Sequence, residues 1–320
     1  MTSRPPTSRP GPLDGVLVAD FSRVLAGPFA SMMLADLGAR VIKVEKPVLG
    51  DDSRSYGPFL QGESLYFARV NRGKESIALD LKEPADRDVA RALAVRADVL
   101  VENFRPGVMD RLGLGWADLQ QAAPGLVYCS ISGFGHTGPW RTRPAYDAVV
   151  QGMSGIMSAT GSPDGHPTKP GVPVADLSAG LYAFGAITSA LLGRARHGHG
   201  THLDIAMYDA TVSLLEGAAL SWLATGVDPG RIGNAHFAIA PFDTFGCADR
   251  DITICAANDA LFGVLVTALG VPALAADPRF MSNAERHEAR VALKAELEAV
   301  LCTAEAEHWL TVLAEVGVPC

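Results

Sequence analysis

VPVADLSAGL, residues 172–181, joins an extended apolar segment to a long helix, and its single carboxylate, Asp176, stands at the junction. Residues 177–192 carry no charged side chain, which predicts a helix buried in the core. Two interpretations of Asp176 stay open. As an N-cap, it accepts hydrogen bonds from free amides of the first turn. As a nucleophile, it is kept ionised by those amides and by the helix dipole, and it attacks an activated carbonyl.

Apolar segments of strand length alternate with helical segments before this junction. The pattern predicts strands at 16–21, 41–45, 76–81, 99–104 and 126–131, and helices at 28–37 and 86–97. Such alternation is typical of an α/β fold with a doubly wound, Rossmann-like parallel sheet, which binds ligands beyond the carboxyl ends of its strands. The turn after the first strand lacks G-x-G-x-x-G, so we expect no NAD. Arg23, in that turn, lies where a phosphate binds a helix start.

The domain organisation follows from composition along the chain. Residues 1–11 are rich in Arg, Ser and Pro and predict a disordered tail. Residues 12–225 form the large domain, and residues 226–320, with a short hairpin followed by helices, form a smaller α+β domain. The chain stops after residues 317–320 without a closing element, so we expect the small domain to be incomplete.

Charge and cysteine usage exclude several classes of partner. The net charge of −8 supplies no basic excess for nucleic acid. Five scattered cysteines without a C-x-x-C pair indicate a reducing, cytoplasmic location and no structural metal. His197, His199 and His202 have no standard metal-site spacing. The uncharged helix is a few residues short of a membrane span, and no signal peptide precedes it, so we expect no membrane association.

A collinear set of short motifs covers nearly the whole chain. It comprises PLDG at 12–15, LAGP at 25–28, VIKVE at 41–45, NRGK at 71–74, SIALDLK at 76–82, VENFRPG at 101–107, DRLG at 110–113, SGFG at 132–135, YD at 146–147, AD at 175–176 and GHGTHLDIAM at 198–207. With these motifs the chain resembles the class III CoA-transferases, a family that also contains α-methylacyl-CoA racemases. Each motif alone is weak, and together they are specific.

The resemblance implies a role for particular residues. Asp176 stands at the position of the family's catalytic aspartate. With Arg23, the residues implied or expected to bind coenzyme A are Leu25, Ala26, Lys46, Leu79, Asp80, Leu81, Lys82, Asn103, Phe104, Arg105, Arg111, Tyr146 and Asp147. The resemblance further implies no permanent cofactor, acyl-CoA and a small carboxylic acid as substrates, and an interlocked homodimer in which the thioester reaches Asp176 between the domains.

The mechanism implied is CoA transfer through an aspartyl-CoA thioester on Asp176, with amides at the start of its helix stabilising the oxyanions. The racemases carry a histidine at the position of Tyr146, and tyrosine is a poor base near neutral pH, so we favour a transferase over a racemase. No Gly-rich run lies in residues 225–260, which argues against formyl or oxalate specificity. The family's chains continue beyond the position of residue 320; if this chain is naturally short, a non-catalytic CoA-binding protein is the remaining alternative.

Overall fold

The computed structural model describes residues 10–320. The tail expected over residues 1–11 therefore lies, except for its last two residues, outside the described residues. The strands are β1 (Leu17–Asp20), β2 (Arg40–Glu45), β3 (Phe59–Leu60), β4 (Glu63–Ser64), β5 (Lys74–Ala78), β6 (Val99–Glu102), β7 (Val127–Ser132), β8 (Thr201–Ala206), β9 (Phe242–Gly246) and β10 (Asp251–Cys255).

Helices separate most of these strands. They are α1 (Ala26–Asp36), α2 (Leu65–Asn71), α3 (Pro84–Arg96), α4 (Val108–Arg111), α5 (Trp116–Leu119), α6 (Asp147–Ser154), α7 (Ile156–Ala159), α8 (Val174–His197), α9 (Met207–Val212), α10 (Glu216–Thr225), α11 (Asp259–Ala268), α12 (Asn283–Glu288), α13 (Arg290–Leu301) and α14 (Ala306–Glu315). Short 3₁₀ segments cover Asp52–Ser55, Ser213–Leu215 and Pro272–Ala276.

The central sheet confirms the predicted doubly wound α/β architecture. Six parallel strands lie in the order β5-β2-β1-β6-β7-β8, so the chain reverses direction between β1 and β6. This is the strand order of a Rossmann-type sheet, in which ligands bind at the point of reversal. Val18, Val99, Leu100 and Val127 are fully buried, because helices cover both faces of the sheet.

Helix α8 contributes one face to this core. Ala175, Ala179, Ala183 and Ile187 are fully buried at helical spacing and pack with α1. The opposite face is exposed at Leu181, Tyr182 and Leu192, so the expectation of a wholly buried helix is corrected. Within residues 10–320, α8 is the helix that is long and apolar enough to cross a bilayer, a test that buried helices of soluble proteins also pass.

The chain divides into two compact units. The first comprises the chain up to Ile156 together with Lys169–Leu215, and the second comprises Met157–Thr168 together with Glu216–Cys320. The division after Leu215 lies before the predicted one at residues 225 and 226. Helix α10 belongs to the second unit, where Gly217 lies so close to the ring of Phe237 that a Cβ atom would come within 2.6 Å of it.

The second unit has its own core. The antiparallel hairpin β9–β10 packs with α11, α13 and α14 around Phe245, Ile254 and Leu297. Arg286 is fully buried there, and its guanidinium donates to the carbonyls of Ala240 and Phe280, at 2.8 Å and 3.0 Å. A hairpin covered by helices is the α+β arrangement expected from the sequence.

Candidate active site

Two loops meet where the sheet reverses direction. The loop after β1 contains Arg23, and the loop after β6 begins with Asn103. The Asn103 side chain accepts a hydrogen bond from the Arg23 amide and donates one to the Arg23 carbonyl, both at 2.8 Å. One side chain thereby fixes the backbone on both sides of Arg23, although the two residues are 80 positions apart.

Two cavities lie at these loops, both in the first unit. The larger, of about 300 Å³, is lined by residues after β1, β2, β5 and β6, and the smaller, of about 180 Å³, is lined by residues after β1, β6 and β7 and by the start of α8. Arg23 and Phe104 line both cavities, and the Arg23 guanidinium lies 5.5 Å from the centroid of the Phe104 ring. This pair therefore forms the boundary shared by the two spaces.

A network of paired charges supports the larger cavity. Lys43, almost fully buried, contacts the Asp51 carboxylate at 2.9 Å and donates to the Ser22 carbonyl at 2.8 Å. Asp51 in turn accepts hydrogen bonds from the Val24 amide at 3.1 Å and 3.2 Å. The two side chains thus hold the residues on either side of Arg23, and Val24 is fixed with a positive φ of 67°, a conformation that costs energy for a β-branched residue.

Asp20 lies in the same network, on the last residue of β1. Burial raises the pKa of its carboxyl, but Lys74, Lys43 and the hydroxyls of Ser22 and Ser31 outweigh that effect and lower the pKa to about 2. The Lys74 ammonium lies 3.0 Å from the carboxylate. Asp20 is therefore ionised at any physiological pH and has a structural role.

Asp176 lines the smaller cavity, and its position differs from the N-cap interpretation. The helix begins at Val174, Pro173 is the N-cap residue, and Asp176 is the third helical residue. No side chain of α8 itself caps this end. The N-cap prediction is wrong because the backbone becomes helical two residues earlier than the carboxylate, which leaves the Asp176 side chain free to face the cavity.

The ionisation of Asp176 also departs from expectation. Burial, together with the nearby negative charge of Asp147, raises the pKa of its carboxyl to about 7. We expected the first-turn amides to favour the ionised form. They do not prevail because the Asp147 carboxylate occupies two of them: it accepts hydrogen bonds from the amides of Ala175 at 3.0 Å and Asp176 at 3.3 Å. Near neutral pH, Asp176 is therefore divided between its two protonation states.

Most residues expected to bind coenzyme A line one of the two cavities. Arg23, Lys46, Leu79, Asp80, Leu81, Lys82 and Phe104 line the larger one, and Arg23, Leu25, Ala26, Asn103, Phe104, Arg105 and Tyr146 line the smaller one together with Asp176. Arg111 and Asp147 line neither. The structure thus groups the expected residues around a single pair of cavities at the sheet reversal.

Two cations at the smaller cavity were missed by the sequence analysis. Arg141 and Arg143 line it, and among the described residues neither guanidinium forms an ion pair. Arg141 donates to the Gly138 carbonyl at 3.3 Å, and Arg143 stacks over Trp140 at 5.4 Å. They lie in a loop without periodicity, so no pattern in the sequence pointed to the cavity.

The three neighbouring histidines do not converge. The rings of His197 and His199 stack at 6.2 Å, whereas His202 contacts the Ser130 hydroxyl at 2.9 Å. Within residues 10–320 no group of three or more His, Cys, Asp or Glu side chains is arranged to hold a metal ion. All five cysteines are free thiols.

Comparison with known proteins identifies the family. The family model described as CoA-transferase family III matches residues 13–320. This chain belongs to CoA-transferase family III. The acetyl-CoA:oxalate CoA-transferase of Acetobacter aceti is 51% identical over 320 residues, which cover all of this chain and 82% of that protein. The succinyl-CoA:glutarate CoA-transferase of Mus musculus is 43% identical, and the match covers 96% of this chain and 71% of that protein.

Solved structures of the family share its fold. A CAIB/BAIF family protein from Brucella suis is 46% identical, with a TM-score of 0.85 over 97% of this chain and 83% of that one. The Rv3272 protein of Mycobacterium tuberculosis is 35% identical, with a TM-score of 0.87 over the same shares. The family III chain described here is therefore a CoA-transferase, which confirms the resemblance read from its motifs, and its substrates are CoA thioesters and carboxylic acids.

Proposed function

We propose that this CoA-transferase moves CoA between an acyl-CoA and a small carboxylic acid through a covalent thioester on Asp176. The observation that carries the proposal is the position of Asp176. Its carboxylate lines a cavity that shares Arg23 and Phe104 with a second, larger cavity rimmed by cations. A long, anionic thioester fits such a pair of spaces with its charged end in one and its acyl end in the other.

In this proposal the larger cavity takes the nucleotide end of coenzyme A. Arg23, Lys46 and Lys82 supply positive charge for its phosphates. Arg23 and Lys46 both contact the Asp52 carboxylate, at 3.2 Å and 2.5 Å, and all three side chains are partly exposed. Phosphate binding therefore replaces a weak surface pairing, which costs little. The pantetheine arm then passes the loop after β6 toward Asp176.

The chemistry needs one ionised carboxylate. Asp176 attacks the donor thioester carbonyl, the carbon–sulfur bond breaks, and a mixed anhydride and CoA thiolate result. The thiolate attacks the aspartyl carbonyl, which releases the donor acid and leaves the aspartyl-CoA thioester. The acceptor carboxylate attacks this thioester to give a second anhydride and thiolate, and the thiolate attacks the acceptor's acyl carbon and regenerates Asp176. Each step exchanges one activated acyl bond for another, provided that water is excluded.

Oxyanion stabilisation is assigned to α1 in place of the start of α8. The amides of Ala175 and Asp176 already donate to Asp147, so they are not available to a tetrahedral intermediate. Helix α1 begins at Ala26, its N-cap residue is Leu25, and no side chain caps it. Both residues line the cavity of Asp176, so first-turn amides of α1 are the donors that we propose for the developing oxyanion.

We propose a dicarboxylic acid as one substrate. The relatives are named for oxalate and glutarate, and Arg141 and Arg143 line the cavity without an anionic partner among the described residues. A second carboxylate on the substrate would neutralise this charge. The relative at 51% identity is named for oxalate, so the lack of a Gly-rich run no longer argues against that acid. Oxalate, glutarate and succinate belong in one assay panel with monocarboxylic acids of equal length.

The quaternary structure and location are further proposals. Leu181, Tyr182 and Leu192 form an exposed apolar face on α8, and Leu220 and Trp222 are exposed on α10. Burial of such surfaces between two copies supports a homodimer. Light scattering after size exclusion tests the mass of the assembly. Free thiols throughout the chain support a cytoplasmic location, which fractionation of the producing cells tests.

The test of the mechanism is Asp176→Asn, compared with Asp88→Asn on the exposed side of α3 as a control of equal charge change. We expect the first variant to lose exchange by at least about a thousandfold, and the control to keep it. Hydroxylamine added to wild-type enzyme with acyl-CoA should form an aspartyl hydroxamate at position 176, detected by mass spectrometry. Full exchange in Asp176→Asn would refute the proposal.

Solvent deuterium entering acyl-CoA without an acceptor acid would favour the racemase alternative, and CoA binding without turnover would favour a binding protein.

A further inference from the structure

The first turn of α8 receives its cap from another helix. In most helices a Ser, Thr, Asp or Asn at the N-cap accepts from the amides of the second and third helical residues. Here the N-cap is Pro173, which has no acceptor in its side chain, and the amides in question belong to Ala175 and Asp176. The Asp147 carboxylate, 28 and 29 residues earlier in the chain, accepts from both through its Oδ1 atom.

Asp147 is itself held by a buried side chain. Its Oδ2 atom accepts a hydrogen bond from the Gln151 amide at 2.5 Å, one turn later on α6. Gln151 is fully buried, and its Oε1 atom has no hydrogen-bond partner among the described residues. Burying an amide with an unpaired oxygen costs stability. The fold accepts this cost at a position where the side-chain amide donates to the Asp147 carboxylate and, at 3.4 Å, to the Val172 carbonyl just before α8.

We propose that Asp147 is a positioning residue for the aspartyl transfer: it fixes the backbone of Asp176, and its negative charge favours the uncharged, acylated form of Asp176 over the free carboxylate. This inference rests on the proposed function of Asp176. Acylation converts a buried anion beside a second carboxylate into a neutral thioester. Burial and like-charge repulsion both disfavour the anion, and both are relieved when the covalent bond forms. This role through Asp176 differs from the coenzyme A binding predicted for Asp147 from the sequence, and Asp147 lines neither cavity.

Other charged and titratable groups surround Asp176. They are Tyr66 on α2, whose pKa is raised by burial and by Asp176, and Arg23, Arg105, Arg141, Arg143 and Tyr146, which line the same cavity. Helix α9, which packs against α8, carries Tyr208 and Asp209, and Cys129 lies in the core that α8 shares. Besides burial, the charge of the Asp147 carboxylate raises the pKa of Asp176. A variant at position 147 therefore changes one charge, and the arginines of the cavity remain.

Two substitutions separate position from charge. Asp147→Asn keeps an oxygen that accepts from the amides of Ala175 and Asp176 but removes the charge. The pKa of Asp176 should then fall, so the acid limb of the pH profile of kcat/KM should move to lower pH, by up to about one pH unit. Burial persists in this variant, so the limb should stay above that of an ordinary aspartate. Asp147→Ala removes the cap as well, and we expect kcat to fall at least about tenfold with a smaller change in the KM for acyl-CoA.

A third variant keeps the test open if either change at 147 impairs folding. Gln151→Met removes the donor to Asp147 while keeping the volume, and it should lower kcat by a smaller factor in the same direction. Asp88→Asn serves as the charge-matched control. A wild-type acid limb in Asp147→Asn, together with an unchanged kcat in Gln151→Met, would overturn the inference. Full activity in Asp176→Asn would instead overturn the proposed function, so the two failures are distinguishable.

Discussion

Asp20 and Asp176 are two aspartates of the same unit whose surroundings are opposite. Asp20 is fully buried, contacts Lys74 at 3.0 Å, and has a pKa lowered to about 2. Asp176 faces a cavity, and burial together with the charge of the Asp147 carboxylate raises its pKa to about 7. Burial alone would raise both pKa values; the cations decide the difference. Asp20, which has cationic partners, stabilises the loop after β1. Asp176, which forms no ion pair among the described residues, is available to react.

The comparison extends to the cations. Those of the scaffold, such as Lys43 and Lys74, contact buried acids. Two cations at the Asp176 cavity, Arg141 and Arg143, have no acidic partner within the described part of the chain, although Arg23, which lines the same cavity, pairs with Asp52. Compensated charges stabilise the loop after β1 in one geometry, whereas uncompensated charges of both signs remain for substrate. Variants that remove a compensated or an uncompensated charge test this contrast, and the largest effect is expected in the scaffold.

Removing the partner of Asp20 should have the largest effect on stability. Lys74→Met leaves a fully buried carboxylate without its nearest cation, which costs about 3–5 kcal/mol in the free energy of unfolding. Urea unfolding followed by circular dichroism measures the loss. Arg40→Gln, which breaks the exposed pair between Arg40 and Glu75, is the control and should change little. Adding Asp20→Asn to Lys74→Met should restore much of the loss, and a double variant as unstable as the single one would contradict the pairing.

Replacing Asp176 by a residue that cannot ionise should raise the stability of the protein, and only at high pH. An aspartate has an ordinary pKa of 3.8, and the folded protein raises it to about 7, so stability falls as the pH rises through this window. The loss is about 1.4 kcal/mol for each pH unit between the two values, or a few kcal/mol by pH 8. Asp176→Asn cannot ionise and should therefore melt higher than wild type at pH 8 and equally at pH 4. A stability gap independent of pH would contradict the raised pKa.

The sequence predicted the sheet and the side of it that binds the ligand. Uninterrupted apolar runs such as residues 99–101 identify strands covered on both faces, and parallel strands place the loops that follow them at one edge. The third strand was predicted at 76–81 and is observed at Lys74–Ala78, so Leu79–Lys82 belong to the cavity loop. Family motifs then supplied individual residues, most of which line the two cavities.

The electrostatics of the site could not be predicted from local pattern. The contact of Asp147 with the start of α8 joins positions 28 and 29 residues apart, and no periodicity relates them. Arg141 and Arg143 lie in an irregular loop, where nothing in the sequence distinguishes a cavity residue from a solvated one. The N-cap interpretation of Asp176 was wrong because residue type alone favours a cap there, whereas the helix begins at Val174, two residues earlier.

Loosening the loop after β1 should weaken substrate binding by an intermediate amount. Asn103→Ala removes both hydrogen bonds to the Arg23 backbone, so the boundary between the two cavities loses its fixed geometry. We expect the KM for acyl-CoA to rise about tenfold, equivalent to about 1.4 kcal/mol, with kcat changed less. Steady-state kinetics measure both. Asn103→Asp keeps the oxygen that accepts from the Arg23 amide, so its KM should lie between those of wild type and Asn103→Ala. Equal KM values for the two variants would contradict a role for both hydrogen bonds to the Arg23 backbone.

The smallest predicted effect concerns Val24, the strained residue beside Arg23. Its φ of 67° is unfavourable for every residue with a Cβ atom and neutral for glycine. Val24→Ala keeps the strain and loses packing, whereas Val24→Gly relieves it. Glycine should therefore be the more stable of the two variants by up to about 1 kcal/mol, the reverse of the usual order. Thermal unfolding compares them directly. If alanine were the more stable, the backbone of Val24 would not be strained. The pair of Lys43 and Asp51 would then not be holding the loop around Arg23 in a costly conformation.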